Sequence, residues 1–305
     1  MTNKIVIIGG SSSLGKALFD YFSQKNDYEV KSTFFSQVLP NAIHLDLRSE
    51  TKFSQLEFID SQTTVLILSA IADPYTVFHS PEISREVNVL GIKRLIDFLK
   101  NRNSRIIFAS SVEVLDGQSA PQSEQSPLKP LNLYGKMKAE IESYITQLFP
   151  IGEYSIVRTP WISHINNESR CVVRNTYEKM ISNTIPGLAI DYFSSIVASS
   201  DVCKGYSKLT SMQYFPQIIH LAADGGFSRA ELAQNIMQYS IFGNKMKFRK
   251  VFFDDLDLPE PRARDTRLTN ELSRNLLDMS YVQWKNVIKS KVQFLDAYTL
   301  SNRVV

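Results

Sequence analysis

The chain has 305 residues, 43% of them apolar, and a formal net charge of only +3. That length can bury a sizeable core, as one large domain or two modest ones. The near balance of charge, with no Lys/Arg block of five or more, gives no support to a nucleic-acid or membrane-surface role.

The two cysteines, Cys171 and Cys203, cannot build a disulfide framework and match no metal spacing, so both read as buried or idle thiols. The histidines, His44, His79, His164 and His220, are scattered with no second ligand at metal spacing, and no metal site is expected. The apolar run at 5–8 is too short for a signal peptide, and no stretch reaches the length of a membrane helix. A soluble, cytoplasmic protein is the expectation.

Residues 4–8 read as a strand, closed by the turn Gly9-Gly10-Ser11-Ser12-Ser13-Leu14-Gly15, and 14–24 as a helix. Strand, glycine turn and helix together present backbone N–H groups and a helix N-terminus to a pyrophosphate. Gly9 and Gly15 suit tight turning and close helix packing, while Ser12 stands where such a fingerprint has its middle glycine. Either Gly9, Ser12, Ser13, Leu14 and Gly15 bind a dinucleotide, or the turn binds nothing; its place after a fully apolar first strand favours the dinucleotide. A second strand at 28–34 ends without the acid that an NAD site carries for the ribose hydroxyls, and no Arg follows it. NADP is favoured and NAD remains allowed. Asp46 and Leu47, after the short apolar run 42–45, either contact the adenine or sit in a solvated turn. The third buried strand, 64–68, leads into Ser69, Ala70 and Ile71, which are expected to line the cofactor because ligands bind at the carboxyl ends of such strands.

Further along, 82–100 reads as a helix, 105–109 as a buried strand ended by Ser110 and Ser111, 132–149 as a helix stopped by Pro150, and 155–158 as a strand. Short apolar strands alternating with helices imply an α/β fold, a Rossmann-type doubly wound parallel sheet, with an NAD(P)-binding domain over 1–160. After Pro160 the rhythm changes: 175–185 and 228–239 look helical, 217–221 looks like a strand, and 254–261 is an acidic, proline-bearing loop. Residues 161–305 are expected to form mainly a smaller substrate-binding lobe, with some strands or helices returning to the first sheet.

Tyr134-Gly-Lys-Met-Lys138 puts a phenol and an ammonium one helical turn apart on the same face. Such a lysine favours the phenolate and lowers its pKa. The tyrosine can then give a proton to a carbonyl oxygen, or take one from an alcohol, near neutral pH. The lysine can also hold the nicotinamide ribose hydroxyls, and a serine at the neighbouring strand end, Ser111, would stabilise charge on the same oxygen. The spacing recurs at Tyr21 with Lys25 and at Tyr281 with Lys285, but only the Tyr134 copy follows a buried strand ending in serines.

Over nearly its whole length the chain resembles the extended short-chain dehydrogenase/reductases, and within them the dTDP-4-dehydrorhamnose reductases. Ser110-Ser-Val-Glu-Val-Leu-Asp-Gly117 is similar to that group's Ser-Thr-Asp-Tyr-Val-Phe-Asp-Gly, and Asn132-Leu-Tyr-Gly-Lys-Met-Lys138 with Glu142 to its Asn-x-Tyr-Gly-x-x-Lys…Glu helix. Val157-Arg-Thr-Pro-Trp161, Asn88, Asp191-Tyr-Phe-Ser-Ser195 with Asp201, and Arg262-Ala-Arg-Asp-Thr-Arg-Leu268 also resemble it. The resemblance implies an NAD(P)H-dependent reductase of a nucleotide-linked 4-keto sugar, with Ser111, Tyr134 and Lys138 catalytic. It also implies a homodimer through the helices at 82–100 and 132–149, whose apolar residues the chain's own sheet could equally satisfy. An NAD-dependent nucleotide-sugar epimerase is the nearest enzymatic alternative. A regulatory subunit of methionine adenosyltransferase, which resembles this group, is the alternative outside catalysis.

Departures narrow the reading. Val112 stands where the group has an acid, and valine cannot move a proton, which argues against dehydration. Glu113 is either a second proton donor or a solvated strand-end residue. Trp161, Tyr192 and Phe193 either stack on a nucleotide base or belong to core and rim. Arg262 and Arg264 either pair with a substrate diphosphate or are solvated. Glu113, Trp161, Tyr192 and Arg262 are taken as the substrate-side set. The sugar and the nucleotide depend on the loops at 160–200 and 254–268.

Overall fold

The computed structural model describes residues 3–164, 171–185 and 187–301. In chain order its first half runs β1 (Asn3–Ile8), α1 (Ser13–Ser23), β2 (Tyr28–Phe34), β3 (Ile43–His44), β4 (Thr63–Ile67), α2 (Pro74–His79), α3 (Pro81–Arg85), α4 (Ile92–Lys100), β5 (Arg105–Ala109), α5 (Leu133–Leu148) and β6 (Tyr154–Arg158). The second half runs β7 (Trp161–Ser163), α6 (Val172–Ile181), β8 (Leu188–Ala189), β9 (Phe193–Ser194), β10 (Ile196–Ala198), α7 (Ser199–Thr210), β11 (Ile218–His220), β12 (Phe227–Ser228), α8 (Arg229–Tyr239), β13 (Lys250–Val251), β14 (Asp265–Thr266), α9 (Glu271–Leu277) and α10 (Trp284–Ser301).

Seven parallel strands form the main sheet in the order β11-β6-β5-β4-β1-β2-β3. The strands read as continuous apolar runs because helices cover both faces. Val6, Ile8, Val65, Ile67, Ile106 and Phe108 enter one core with α4 and α5. Their neighbours Ile5, Ile7, Leu66 and Ile107 enter another with α1 and α7. The sheet's direction of growth reverses between β1 and β4, which opens a crevice at their carboxyl ends.

The helix expected over 82–100 is broken. A π-helical turn, Glu86–Gly91, separates α3 from α4. The expected boundary at 160 falls between β6 and β7, but β11 comes back to the sheet edge and α7 lies against α1. A third core, with Val173, Tyr177, Leu232, Ile236, Val287, Val292 and Leu295, belongs to the second half alone. Residues 165–170 and 186, part of the 160–200 stretch expected to select the sugar, lie outside the described residues. Among the described residues no helix is long and apolar enough to cross a membrane, and no cluster of three His, Cys, Asp or Glu could hold a metal.

Candidate active site

The glycine turn closes on itself with little room. Gly9 has φ +92°, and a Cβ there would meet the Ser69 backbone nitrogen at 2.9 Å; one on Gly15 would meet the Gly9 carbonyl at 2.3 Å. Both positions therefore require glycine. Ser12 does not: its backbone is extended, its hydroxyl accepts the Gly15 N–H at 3.0 Å and donates to the Gly9 carbonyl at 2.8 Å. The serine thus caps α1 in place of a glycine.

A cleft of about 1210 Å³ opens over this turn, lined by Gly9, Ser12, Ser13, Asp46, Leu47, Ser69, Ala70 and Ile71 from the expected cofactor set. Leu14 and Gly15 are not on its wall: Leu14 packs into the core beneath, and Gly15 supports the turn from behind. The wall also includes Phe35, Ser36, Arg48, His164, Ser199 and Ser200, none of which the motifs single out. His164, Ser199 and Ser200 come from the second half, where no spacing links them to the glycine turn. Asn88, in the π-helical turn, braces the wall by accepting the Ile71 N–H at 2.8 Å and donating to the Ile71 carbonyl at 3.0 Å. Such turns recur at functional sites because they redirect a side chain without ending the helix.

The three residues expected to be catalytic, Ser111, Tyr134 and Lys138, gather where β5 ends and α5 begins. The Ser111 hydroxyl accepts the Glu113 N–H at 3.2 Å and so caps a short turn. Asn132 caps α5 by accepting the Gly135 N–H at 2.8 Å, and its amide donates to Glu113. Gly135 allows this approach, since a Cβ would stand 2.0 Å from the Glu113 carbonyl. Lys138 is buried, donates to the Ala109 carbonyl at 2.7 Å, and lies 5.9 Å from the centre of the Tyr134 ring. None of the three lines the large cleft.

The electrostatics differ from the expectation of a lysine-lowered phenol. Burial and the nearby Glu113 carboxylate hold Tyr134 well above the ordinary phenol range, and the Ser111 hydrogen bond offsets only part of this. Burial pushes Lys138 down to about 8, opposed by the Glu142 carboxylate. Glu142 is itself committed to Arg158 at 2.6 Å, with side-chain exposures of 2% and 1%, and accepts the Ser110 hydroxyl. The pair was legible only as a motif glutamate and a charged end to a buried strand.

The residues expected on the substrate side do come together. Arg262 lies 3.5 Å from Glu113 and hydrogen bonds Tyr192, whose ring centre is 6.5 Å from that of Trp161. Arg229, the first residue of α8, stacks over Trp161 at 4.8 Å, and among the described residues no carboxylate pairs with it. Burial and the neighbouring Arg262 push the Arg229 guanidinium down from its ordinary value. Arg264 is tied to Asp191 at 3.3 Å and to Asp254 at 2.5 Å, and Phe193 lies under Arg267 in the β9–β14 sheet. Asp201 is fully buried and accepts the Val282 N–H at 2.8 Å, a structural role. Glu260, unmarked in the sequence beyond its acidic loop, accepts the Leu133 N–H at 2.7 Å at the start of α5.

The profile of the family described as RmlD substrate binding domain matches residues 3–297. The chain belongs to that family. Two curated relatives of this RmlD-family chain point in different directions. Methionine adenosyltransferase 2 subunit beta of Xenopus laevis is 29% identical over 146 residues, 48% of this chain and 43% of its own. The dTDP-4-dehydrorhamnose reductase of Aggregatibacter actinomycetemcomitans is 31% identical over 163 residues, 52% and 51% of the two chains. The chain thus spans about half the length of the curated relatives it matches. In fold it is similar to a solved dTDP-4-dehydrorhamnose reductase from Bacillus anthracis in complex with NADP, with a TM-score of 0.78 and 18% identity over 97% of this chain and 98% of the other.

Proposed function

We propose that the chain is an NAD(P)H-dependent reductase of a nucleotide-linked 4-keto deoxysugar, of the dTDP-4-dehydrorhamnose reductase kind. The observation that carries this reading is the buried Tyr134 phenol hydrogen-bonded to Ser111, with the buried Lys138 Nζ 5.9 Å from its ring centre. A phenol and a hydroxyl so placed can exchange a proton with a keto or alcohol oxygen and hydrogen bond it as charge develops. The same geometry would serve an epimerase, and it is the reductase relatives that rank the reductase above it. The glycine turn, with no room for a Cβ at Gly9 or Gly15, fits a dinucleotide pyrophosphate at the start of α1. Bound NADPH would supply the hydride.

In this mechanism Tyr134 donates its proton to the keto oxygen, Ser111 hydrogen bonds that oxygen as charge gathers there, and Lys138 holds ribose hydroxyls. Arg229 and Arg262, two guanidiniums balanced by the single Glu113 carboxylate, suit a substrate diphosphate, with Trp161 and Tyr192 beside them. The homodimer belongs to the proposal too, although the helices that would pair already bind each other through Arg85, Lys93 and Glu140.

The test is oxidation of NADPH and NADH with dTDP-4-keto-6-deoxyglucose and its 3,5-epimerised form. Wild-type turnover should fall by roughly 100-fold or more in Tyr134→Phe, with cofactor binding retained. The methionine adenosyltransferase relatives support a second reading as a cofactor-binding regulatory subunit. Tight cofactor binding without turnover on either sugar would favour it.

A further inference from the structure

The Lys138 ammonium belongs to a closed ring of contacts. Its Nζ donates to the Ala109 carbonyl at 2.7 Å. Ser110, the next residue at that strand end, donates its hydroxyl to Glu142. Glu142 follows Lys138 by one turn on the same face of α5, which returns the ring to its start. Lys138, Ser110 and Glu142 are all buried. Arg158 braces the ring from β6: its Nε lies 3.1 Å from one Glu142 oxygen and its Nη2 2.6 Å from the other. A single carboxylate thus ties Lys138 to the strand end that continues into Ser111. The same carboxylate opposes the burial of the Lys138 ammonium. Tyr134, with Glu113 beside it, has its ring centre 5.9 Å from the Lys138 Nζ, and the Phe108 ring on β5 lies 4.6 Å away. Beyond Arg158 stand His220, its partner in register on β11, and Glu124, which accepts the His220 N–H at 2.9 Å. Burial and the Arg158 charge push His220 down to about 3, so it stays neutral where Lys138 titrates.

We propose that Glu142 is a positioning residue: through Ser110 it fixes the Lys138 ammonium against the end of β5, and through its charge it keeps that ammonium protonated at neutral pH. The inference rests on the reading of Lys138 as the residue that holds the cofactor ribose, and adds what keeps it in place and charged. Arg158 supplies the countercharge that a carboxylate this deep requires. Networks of this kind act as a unit, because each buried member fixes the next.

Two variants of the full chain separate position from charge. Ser110→Ala opens the ring and leaves the Glu142–Arg158 pair intact. Glu142→Gln combined with Arg158→Met removes the charge without leaving a buried cation unpaired, and keeps an acceptor for Ser110. Lysine labelled with carbon-13 at Cε reports protonation by NMR without any turnover, the Lys138 signal being the one absent from Lys138→Met. The double variant should lower the pH midpoint of that signal by about one unit, and the alkaline decline in kcat for keto-sugar reduction should move with it. Ser110→Ala should leave the midpoint in place and lower kcat about 10-fold, with the sugar KM within about twofold of wild type. A purely structural pair would lower melting temperatures and move neither the midpoint nor kcat, and that result overturns the proposal. If the double variant does not fold, Ser110→Ala decides alone, and an unchanged kcat overturns it. A wild type that reduces no keto sugar overturns the reductase reading, and the Lys138 midpoint still decides the role of Glu142.

Discussion

Two titratable side chains at the site are shifted in ways their spacing alone does not predict. A Tyr and a Lys one turn apart suggest mutual stabilisation of phenolate and ammonium, yet both are buried and each is pushed toward its uncharged form. Desolvation acts on every buried charge, whereas the benefit of a partner depends on distance and on which other charges intervene. Lys138 keeps its proton up to about pH 8 and sheds it above. On the proposed role of the Lys138 ammonium in holding ribose hydroxyls, kcat for keto-sugar reduction should be level below that pH and decline above it. A profile that stays flat to about pH 10, near the ordinary lysine value, would show that the Lys138 charge is not needed. The loss of a fingerprint glycine at Ser12 looks like erosion in the sequence, but the extended backbone there never required one.

At the level of elements, α5 carries the candidate site and is fastened at its start and again in its third turn. Asn132 and Glu260 satisfy N–H groups at its start, and Glu142 locks its inner face to Arg158 on β6. Replacing Glu142 by Gln would leave the Arg158 charge buried and unpaired, at a cost of about 3–5 kcal/mol. The urea midpoint of unfolding should drop accordingly with an unchanged slope; a midpoint within error of wild type would show that the pair contributes nothing. Residues 105–109, 132–149 and 155–158 were legible because apolar runs and a terminating proline mark them plainly. The break in the helix at 82–100 was not, because a π-helical turn shifts the apolar phase by one residue and preserves its composition. The helices α7 and α10 escaped for other reasons. Ser199, Ser200, Gly205 and Thr210 give α7 little intrinsic helix preference, and α10 buries Lys291 and Asp296 on its inner face, which blurs the apolar stripe.

For the molecule as a whole, the strand-helix alternation of residues 1–160 conveys the sheet but conceals who covers it. On the α1 side, Val202, Tyr206, Leu209, Ile219 and Leu221 from beyond residue 160 share a core with Ile5, Ile7, Leu66 and Ile107. Residues 1–160 expressed alone should therefore lack a cooperative melting transition, since β6 would be an open edge and one face of the sheet would be half bare. A sharp two-state melt of that fragment would refute this dependence. The grouping of Trp161, Tyr192, Arg229 and Arg262 is likewise invisible in the sequence, because residues far apart in the chain meet only once both halves have folded. The contact between Glu260 and Leu133 spans 127 positions. During synthesis from the N-terminus the helix bearing Tyr134 emerges early, yet that bond cannot form until the ribosome has made most of the remaining chain. Assembly of the site is in this way delayed to a late moment, and a chain interrupted before residue 260 would carry the trio without the clasp that holds its helix in place.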